Sequence, residues 1–327
     1  MIISPYEGFK GQHCETTATG SLLKHLGLDF SEPLIFGVGQ GIGFIFWKMD
    51  IMNLPFIGGR SKPFELTTNF CRNMRLGLDA RETGSRKKGW ENIRQPIDEG
   101  MPVGVQLDCY YLEYFHNPIH FAGHFACVYG YDGDYAYLTD TDQQGRETKT
   151  SLTSLEEARF AKGSMAASAR SWIISRGESL PALGDVISEA VSANALEFLN
   201  PPIRNFGYKG IEKAAGSMLS WLTDAEDPEA DLGTLAMVME KGGTGGGLFR
   251  KMYAAFLKEA QTFIKGNRNL EKGSDLFARA ADHWTAIAAE IDAAGRSGEA
   301  AHLKEASRLC VSVAGMEKEA MERLSSL

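Results

Sequence analysis

A cysteine placed to open a helix and a histidine placed to open a strand are the side chains here whose types and positions suit covalent chemistry. The first lies in Gly11-Gln12-His13-Cys14-Glu15-Thr16-Thr17-Ala18, which continues to Gly27. A helix beginning near Cys14 sets Ala18, Leu22 and Leu26 on one face and stops at Gly27. The thiol then sits at the helix N-terminus, where the dipole and a nearby imidazole favour thiolate, the reactive form. Spacing alone leaves a small buried apolar cysteine equally open.

The second element is Gly123-His124-Phe125 leading into a β-type run, followed by Tyr135 to Thr139 and then Asp140. In an antiparallel hairpin His124 opens one strand and Asp140 closes the next, so base and orienting carboxylate meet at one end. Cysteine on a helix, histidine opening a strand and carboxylate ending the next, in that order, is the arrangement of papain-like nucleophiles. Asp142 is an alternative orienter. His13, adjacent to the thiol, and His25, at the far end of the same helix, are poorer bases. His116 and His120 have metal-ligand spacing, but Pro118 between them breaks the helix such a pair needs, so no metal is expected.

The elements that must position these residues change character along the chain. Val103 to Leu107, Phe125 to Tyr131, Tyr135 to Thr139 and Trp172 to Ser175 read as strands, with Asp132-Gly133 as a hairpin turn. Residues 1–176 therefore read as an α+β domain of helices on an antiparallel sheet. Beyond 177 the apolar spacing becomes helical: Leu248, Met252, Ala255, Phe256 and Phe263; Leu276, Ala280, Trp284, Ile287 and Ile291; Leu303, Ala306, Leu309 and Val313. Residues 177–327 read as an α-helical domain, interrupted at Pro201-Pro202. The run Gly242 to Gly247 lacks the Gly-Lys-Ser/Thr ending of a phosphate loop and reads as a connector.

Bulk properties exclude several classes. A net charge of −8 gives no general attraction to nucleic acid. No apolar run is long enough for a membrane span and no signal peptide is evident at the N-terminus, so the expected location is the cytoplasm. Five scattered cysteines without C-x-x-C spacing fit neither a disulfide framework nor a zinc site.

Longer stretches of residues 8–142 resemble the family of butirosin biosynthesis protein H, whose N-terminal domain is a papain-like relative of the double-glycine-leader peptidases. The likeness rests on Gly11-Gln12-His13-Cys14 with Thr16-Thr17, and on Leu28 to Gly39 with Gly41 and Phe44. It continues through Leu54-Pro55, Gly58-Gly59-Arg60, Asp108, Tyr111-Leu112-Glu113-Tyr114 and Gly123-His124-Phe125. The helical second half is similar to that family's C-terminal domain. The resemblance implies an acyltransferase that takes an acyl group from an acyl carrier protein thioester onto Cys14 and passes it to an amine, forming an amide in secondary metabolism. Cys14 is then the nucleophile, His124 the base and later acid, and Asp140 the orienter. Ser31, Glu32, Phe36, Gly39, Arg60, Asp108 and Tyr111 are the implied substrate-binding positions. One departure is visible: where papain-like peptidases carry an oxyanion-hole glutamine about six residues before the cysteine, this chain has Gly8. Gln12 or the backbone N–H of Cys14 is left for that task.

No cofactor is implied, since phosphopantetheine arrives on the donor carrier protein; a small-molecule amine is the acceptor and a homo-oligomer is compatible. Arg72, Arg75 and Arg86-Lys87-Lys88 form the basic concentration in the first half, suited to an acidic carrier protein or its phosphate. Two other classes use the same residues. One is a papain-like cysteine peptidase, amidase or thioesterase, and the other is a binding protein on an inactive fold.

Overall fold

The computed structural model describes residues 1–48, 53–60, 62–116, 119–163, 165–242 and 246–327. Its elements begin with helices α1 (Cys14–His25) and α2 (Glu32–Val38), strands β1 (Ile45–Trp47) and β2 (Phe56–Gly58), helix α3 (Glu65–Asn73), strand β3 (Gly77–Arg81) and helix α4 (Arg86–Asp98). Strands β4 (Val103–Leu107), β5 (His124–Tyr131), β6 (Tyr135–Thr139) and β7 (Glu147–Ser151), helix α5 (Leu152–Phe160) and strand β8 (Ser171–Ser175) follow. The remainder is helical: α6 (Leu183–Leu199), α7 (Gly207–Ser217), α8 (Trp221–Asp224), α9 (Pro228–Lys241), α10 (Gly247–Ala260), α11 (Arg268–Ser297) and α12 (Ala300–Leu324).

Two compact units result. One comprises Met1–Ile35 with Lys62–Pro181, the other Phe36–Ser61 with Ala182–Leu327. The fold class is as expected: an α+β region on an antiparallel sheet, then a helical region.

In the first unit six strands lie in the order β3-β8-β4-β5-β6-β7, every neighbouring pair antiparallel. The four strands legible in the sequence are the four central ones. The two that were not, β3 and β7, are the edges, where GLDAR is largely exposed and GLDAR and ETKTS both carry charged side chains. An edge strand with one neighbour needs no apolar alternation, and charge there blunts pairing with other chains. Ile93 and Ile97 of α4 and Leu155 and Ala158 of α5 join Val103, Val105, Leu107, Ala126, Val128 and Leu138 in one buried core. Helix α1 packs against β5 and β4 with Ala18, Leu22 and Leu23 buried.

Sheet register fixes the end at which chemistry can occur. Leu107, the last residue of β4, pairs with His124, the first of β5, and Thr139, the last of β6, pairs with Cys127. The C-termini of β4 and β6 and the N-terminus of β5 thus share one end. The start of α1 is tied there too, because the Asp142 N–H donates to the carbonyl of Gly11 at 2.9 Å.

In the second unit Leu276, Ala280, Trp284, Ile287 and Ile291 of α11 are all buried, as their spacing predicts. In α10 the helix is present and Met252 and Phe256 are buried as their spacing predicts, but Ala255 is exposed, Phe263 lies beyond the helix and is exposed, and Phe249, Tyr253, Leu257 and Ala260 widen the buried face. Arg250, which the apolar count passes over, is also fully buried on this helix. Its Nε and Nη2 donate to Glu317 at 2.8 and 2.9 Å, and Trp284 Nε1 donates to the same carboxylate at 2.7 Å. Of the glycine run, 243–245 lie outside the described residues. No helix among those described is long and apolar enough to cross a membrane.

Breaking the buried pair leaves a cation without its partner, so Glu317→Ala is expected to cost about 3–5 kcal/mol. Urea denaturation of the full chain checks this, and a loss under about 1 kcal/mol shows the pair to be dispensable.

Candidate active site

Asp140 is wholly buried and its carboxylate is fully engaged. Oδ2 accepts from His124 Nε2 at 2.7 Å and from the Tyr114 hydroxyl at 2.7 Å, while Oδ1 accepts from the Thr141 N–H at 2.6 Å. Burial alone lowers the proton affinity of His124, but the Asp140 carboxylate together with Cys109 outweighs it and holds the imidazole well above its usual 6.5. Phe115 meets the imidazole edge to face at 5.3 Å. With Nε2 committed to Asp140, Nδ1 is the nitrogen left for a reacting partner.

Cys14 is the first residue of α1 and is partly exposed. The turn before it is shaped by Glu32, whose carboxylate accepts from the Gln12 N–H at 2.9 and 3.0 Å, the His13 N–H at 2.9 Å and the Thr16 hydroxyl at 2.7 Å. This is an N-cap supplied from another helix, satisfying donors that α1 cannot satisfy itself. Thr16 and Thr17 hydroxyls close on the His13 carbonyl at 2.9 and 2.7 Å. Gly11 is obligatory here, since a Cβ would collide with Thr17 Oγ1 and come within 3.0 Å of Glu32 Oε1. At Gly8 a Cβ would lie 2.6 Å from Thr139 Oγ1, so there is no room for any side chain at that position.

A second cysteine enters the site. Cys109 stands two residues beyond the Leu107–His124 pair, in a short turn Cys109–Tyr111, and its buried sulfur lies near enough to His124 to raise that imidazole's proton affinity. Cys14 and Cys109 both bear on the Tyr114 phenol, whose own ionisation is pushed far upward, first by burial and then by Asp140. Nothing in the local sequence marks Cys109, and Tyr114, which falls in the Tyr111–Tyr114 segment of the family resemblance, carries no role there. Their places follow from strand register, which only the folded sheet supplies.

Residues 13–141 match the model described as butirosin biosynthesis protein H, N-terminal, and residues 153–324 match a domain of unknown function, DUF4872. The chain is thus built from an N-terminal butirosin biosynthesis protein H domain followed by a DUF4872 region. No curated protein matches it in sequence.

The other positions that the butirosin biosynthesis protein H resemblance picks out are dispersed. Asp108 is a clamp: Oδ1 accepts from the N–H groups of Tyr110 and Phe121, both at 3.0 Å, and Oδ2 lies 3.1 Å from His120 Nδ1. It fixes the Cys109 turn to the segment entering His124. His120, largely exposed, stacks on Tyr110 at 3.9 Å, and Tyr111 packs edge-on to both rings. Ser31 caps α2 through Oγ, which accepts from the Leu34 N–H at 3.1 Å. Phe36, Gly39 and Arg60 belong to the helical unit, where Phe36 packs on Phe249 and Arg60 lies over the same ring. Asp140, and not Asp142, receives His124. His13 is buried against Thr16, His25 ends α1, and Pro118 lies outside the described residues. In the basic group Arg86 is spent on Glu156 and Glu157, while Arg72, Arg75, Lys87 and Lys88 are exposed.

Because the folded protein holds His124 above its unfolded value of 6.5, the pair with Asp140 contributes stability that is full below that value. The contribution disappears as pH rises through the folded value. Asp140→Asn is therefore expected to lose more stability relative to wild type near pH 6 than near pH 10, as denaturant titrations at the two pH values will show. A gap of constant size contradicts the ion pair.

Proposed function

We propose that this protein is an acyltransferase that carries an acyl group as a thioester on Cys14 and delivers it to an amine. The observation that carries the reading is the buried 2.7 Å contact between His124 Nε2 and Asp140, at the end of the sheet to which the start of α1 is tied. Family membership supplies the reaction class, since the model matched over residues 13–141 is named for a biosynthetic protein. Under this reading the first unit is a papain-like domain.

An imidazolium held by a carboxylate stabilises the thiolate of a cysteine beside it. That thiolate attacks the donor carbonyl, the carbon–sulfur bond to the phosphopantetheine arm breaks, and His124 protonates the departing thiol. His124 is then neutral. The acceptor amine attacks the acyl-enzyme, His124 takes the amine proton, and Cys14 leaves as thiolate with the imidazolium restored. Thioester and amine become thiol and amide, and every proton is accounted for within the site.

The Cys14 N–H is suited to the oxyanion, since it opens α1 and donates to no acceptor among the described residues. Gln12 is exposed and its N–H is occupied by Glu32, so only its side chain remains for that role. Exposed Arg72, Arg75, Lys87 and Lys88 are the cations available to an acidic carrier protein. Hydrolysis by the same groups would give a thioesterase or amidase, and acceptor choice separates the two. One observation favours a second assignment of the nucleophile, namely the proximity of Cys109 to His124. Its burial, at 5% exposure, argues against it, because a carrier-bound thioester must reach the sulfur.

Intact mass after mixing with carrier-bound acyl thioesters tests the proposal. Without acceptor, an adduct of acyl mass is expected in wild type and in Cys109→Ala, unaffected by EDTA and discharged by amines, and absent in Cys14→Ala. An adduct that survives Cys14→Ala and is lost in Cys109→Ala transfers the role to Cys109. Discharge by water at the same rate as by amines makes the protein a hydrolase.

A further inference from the structure

Asp140 Oδ2 serves two donors at equal distance. His124 Nε2 and the Tyr114 hydroxyl each lie 2.7 Å from it, and Oδ1 is taken by the Thr141 N–H. We propose that Tyr114 is a positioning residue: by sharing Oδ2 with His124 it weakens the carboxylate's hold on the imidazolium, so that His124 can exist neutral when the acceptor amine must lose its proton. The inference rests on the acyl-transfer reading for its consequence in catalysis, but the coupling of Tyr114 to His124 stands on the geometry alone.

Asp140 has no exposure, and Oδ2 keeps His124 as its one side-chain donor when the Tyr114 hydroxyl is removed. The phenol is a donor that does not switch. Burial and the neighbouring carboxylate keep it protonated throughout the working range. Among the described residues Asp140 and Cys109 act on the imidazole directly and Phe115 covers it edge-on, while Cys14 and Cys109 bear on the Tyr114 phenol. Asp140 is thus the strongest charge on His124, and Tyr114 is a side chain that moderates it.

The two half-reactions need opposite states of His124. Acylation uses the imidazolium as an acid for the departing thiol, whereas transfer needs neutral imidazole as a base for the amine. An unmoderated carboxylate favours the first at the expense of the second. Tyr114 corrects that imbalance while leaving the ion pair in place.

The test is the titration of His124 by NMR with histidine labelled at Cε1, combined with single-turnover rates for each half-reaction. In Tyr114→Phe the His124 midpoint is expected to rise on the order of one pH unit. Discharge of acyl-enzyme by amine should slow about tenfold near neutrality and recover at higher pH, with acylation unchanged within about twofold. Tyr114→3-fluorotyrosine, which keeps the ring and strengthens the donor, should move the midpoint down; it serves as the measurement should the phenylalanine variant not fold. A midpoint that stays or falls in folded Tyr114→Phe, or that rises with the fluorinated ring, overturns the proposal. Failure of the acyl-transfer reading is separately visible, as product formed undiminished by Cys14→Ala.

Discussion

The buried carboxylate of Asp140 is the charge around which the proposed site is built. A carboxylate withdrawn from water persists as an anion only when its oxygens are engaged, and here both are, by an imidazole, a phenol and a backbone N–H. Each donor comes from a different stretch: the first residue of β5, the loop after the Cys109 turn, and the residue following Asp140 itself. Holding one charge in place therefore requires the end of β6, the start of β5 and the 114–115 segment to converge. The sheet register accomplishes this, and the chemistry assigned to His124 depends on it.

The same device recurs twice on α1, with the carboxylate used for backbone instead of imidazole. Glu32 caps the turn leading to Cys14, and Glu15, fully buried, receives the N–H groups of Phe64 and Thr67 and the Thr67 hydroxyl at the start of α3. Two caps in series, from Glu32 to the start of α1 and from Glu15 of α1 to the start of α3, thus lock α1 between its neighbours and settle where the thiol emerges. Burial pushes Glu32 upward in proton affinity, with its three donors acting in the opposite sense and Asp142 nearby adding to the rise. A residue that the family resemblance offers as substrate-binding is occupied in shaping the nucleophile's turn.

How much of this was legible in the sequence follows from the range of the interactions. Helix α1 and strands β4, β5 and β6 were readable because their apolar residues sit in runs set by local geometry, and the order Cys14, His124, Asp140 follows from those elements. The edge strands β3 and β7 carry charge in place of apolar alternation and gave no signal. Arg250 was invisible for a related reason: a buried cation looks like surface until its Glu317, 67 residues away, is placed beside it. Tyr114, quoted in the sequence as part of a family-like segment, and Cys109 likewise acquire their roles only through register, since neither chain distance nor residue type links them to Asp140. The segment Phe36–Ser61, rich in glycine and aromatic residues, reads by composition with the first half but packs with the helices of the second unit.

The central claim is that the carboxylate of Asp140, acting through His124, makes Cys14 the reactive thiol. Burial raises the Cys71 and Cys127 thiols to about 12 and Cys310 upward as well, whereas Cys14 and Cys109 are the thiols that bear on the Tyr114 phenol and so contest the role. Iodoacetamide labelling of the native protein near pH 6, followed by peptide mapping over time, discriminates them. The account predicts that Cys14 labels first and that its rate falls at least tenfold in Asp140→Asn and further in His124→Ala, on the order expected for loss of a charge partner. Faster labelling of Cys109, or a Cys14 rate indifferent to both substitutions, would contradict it.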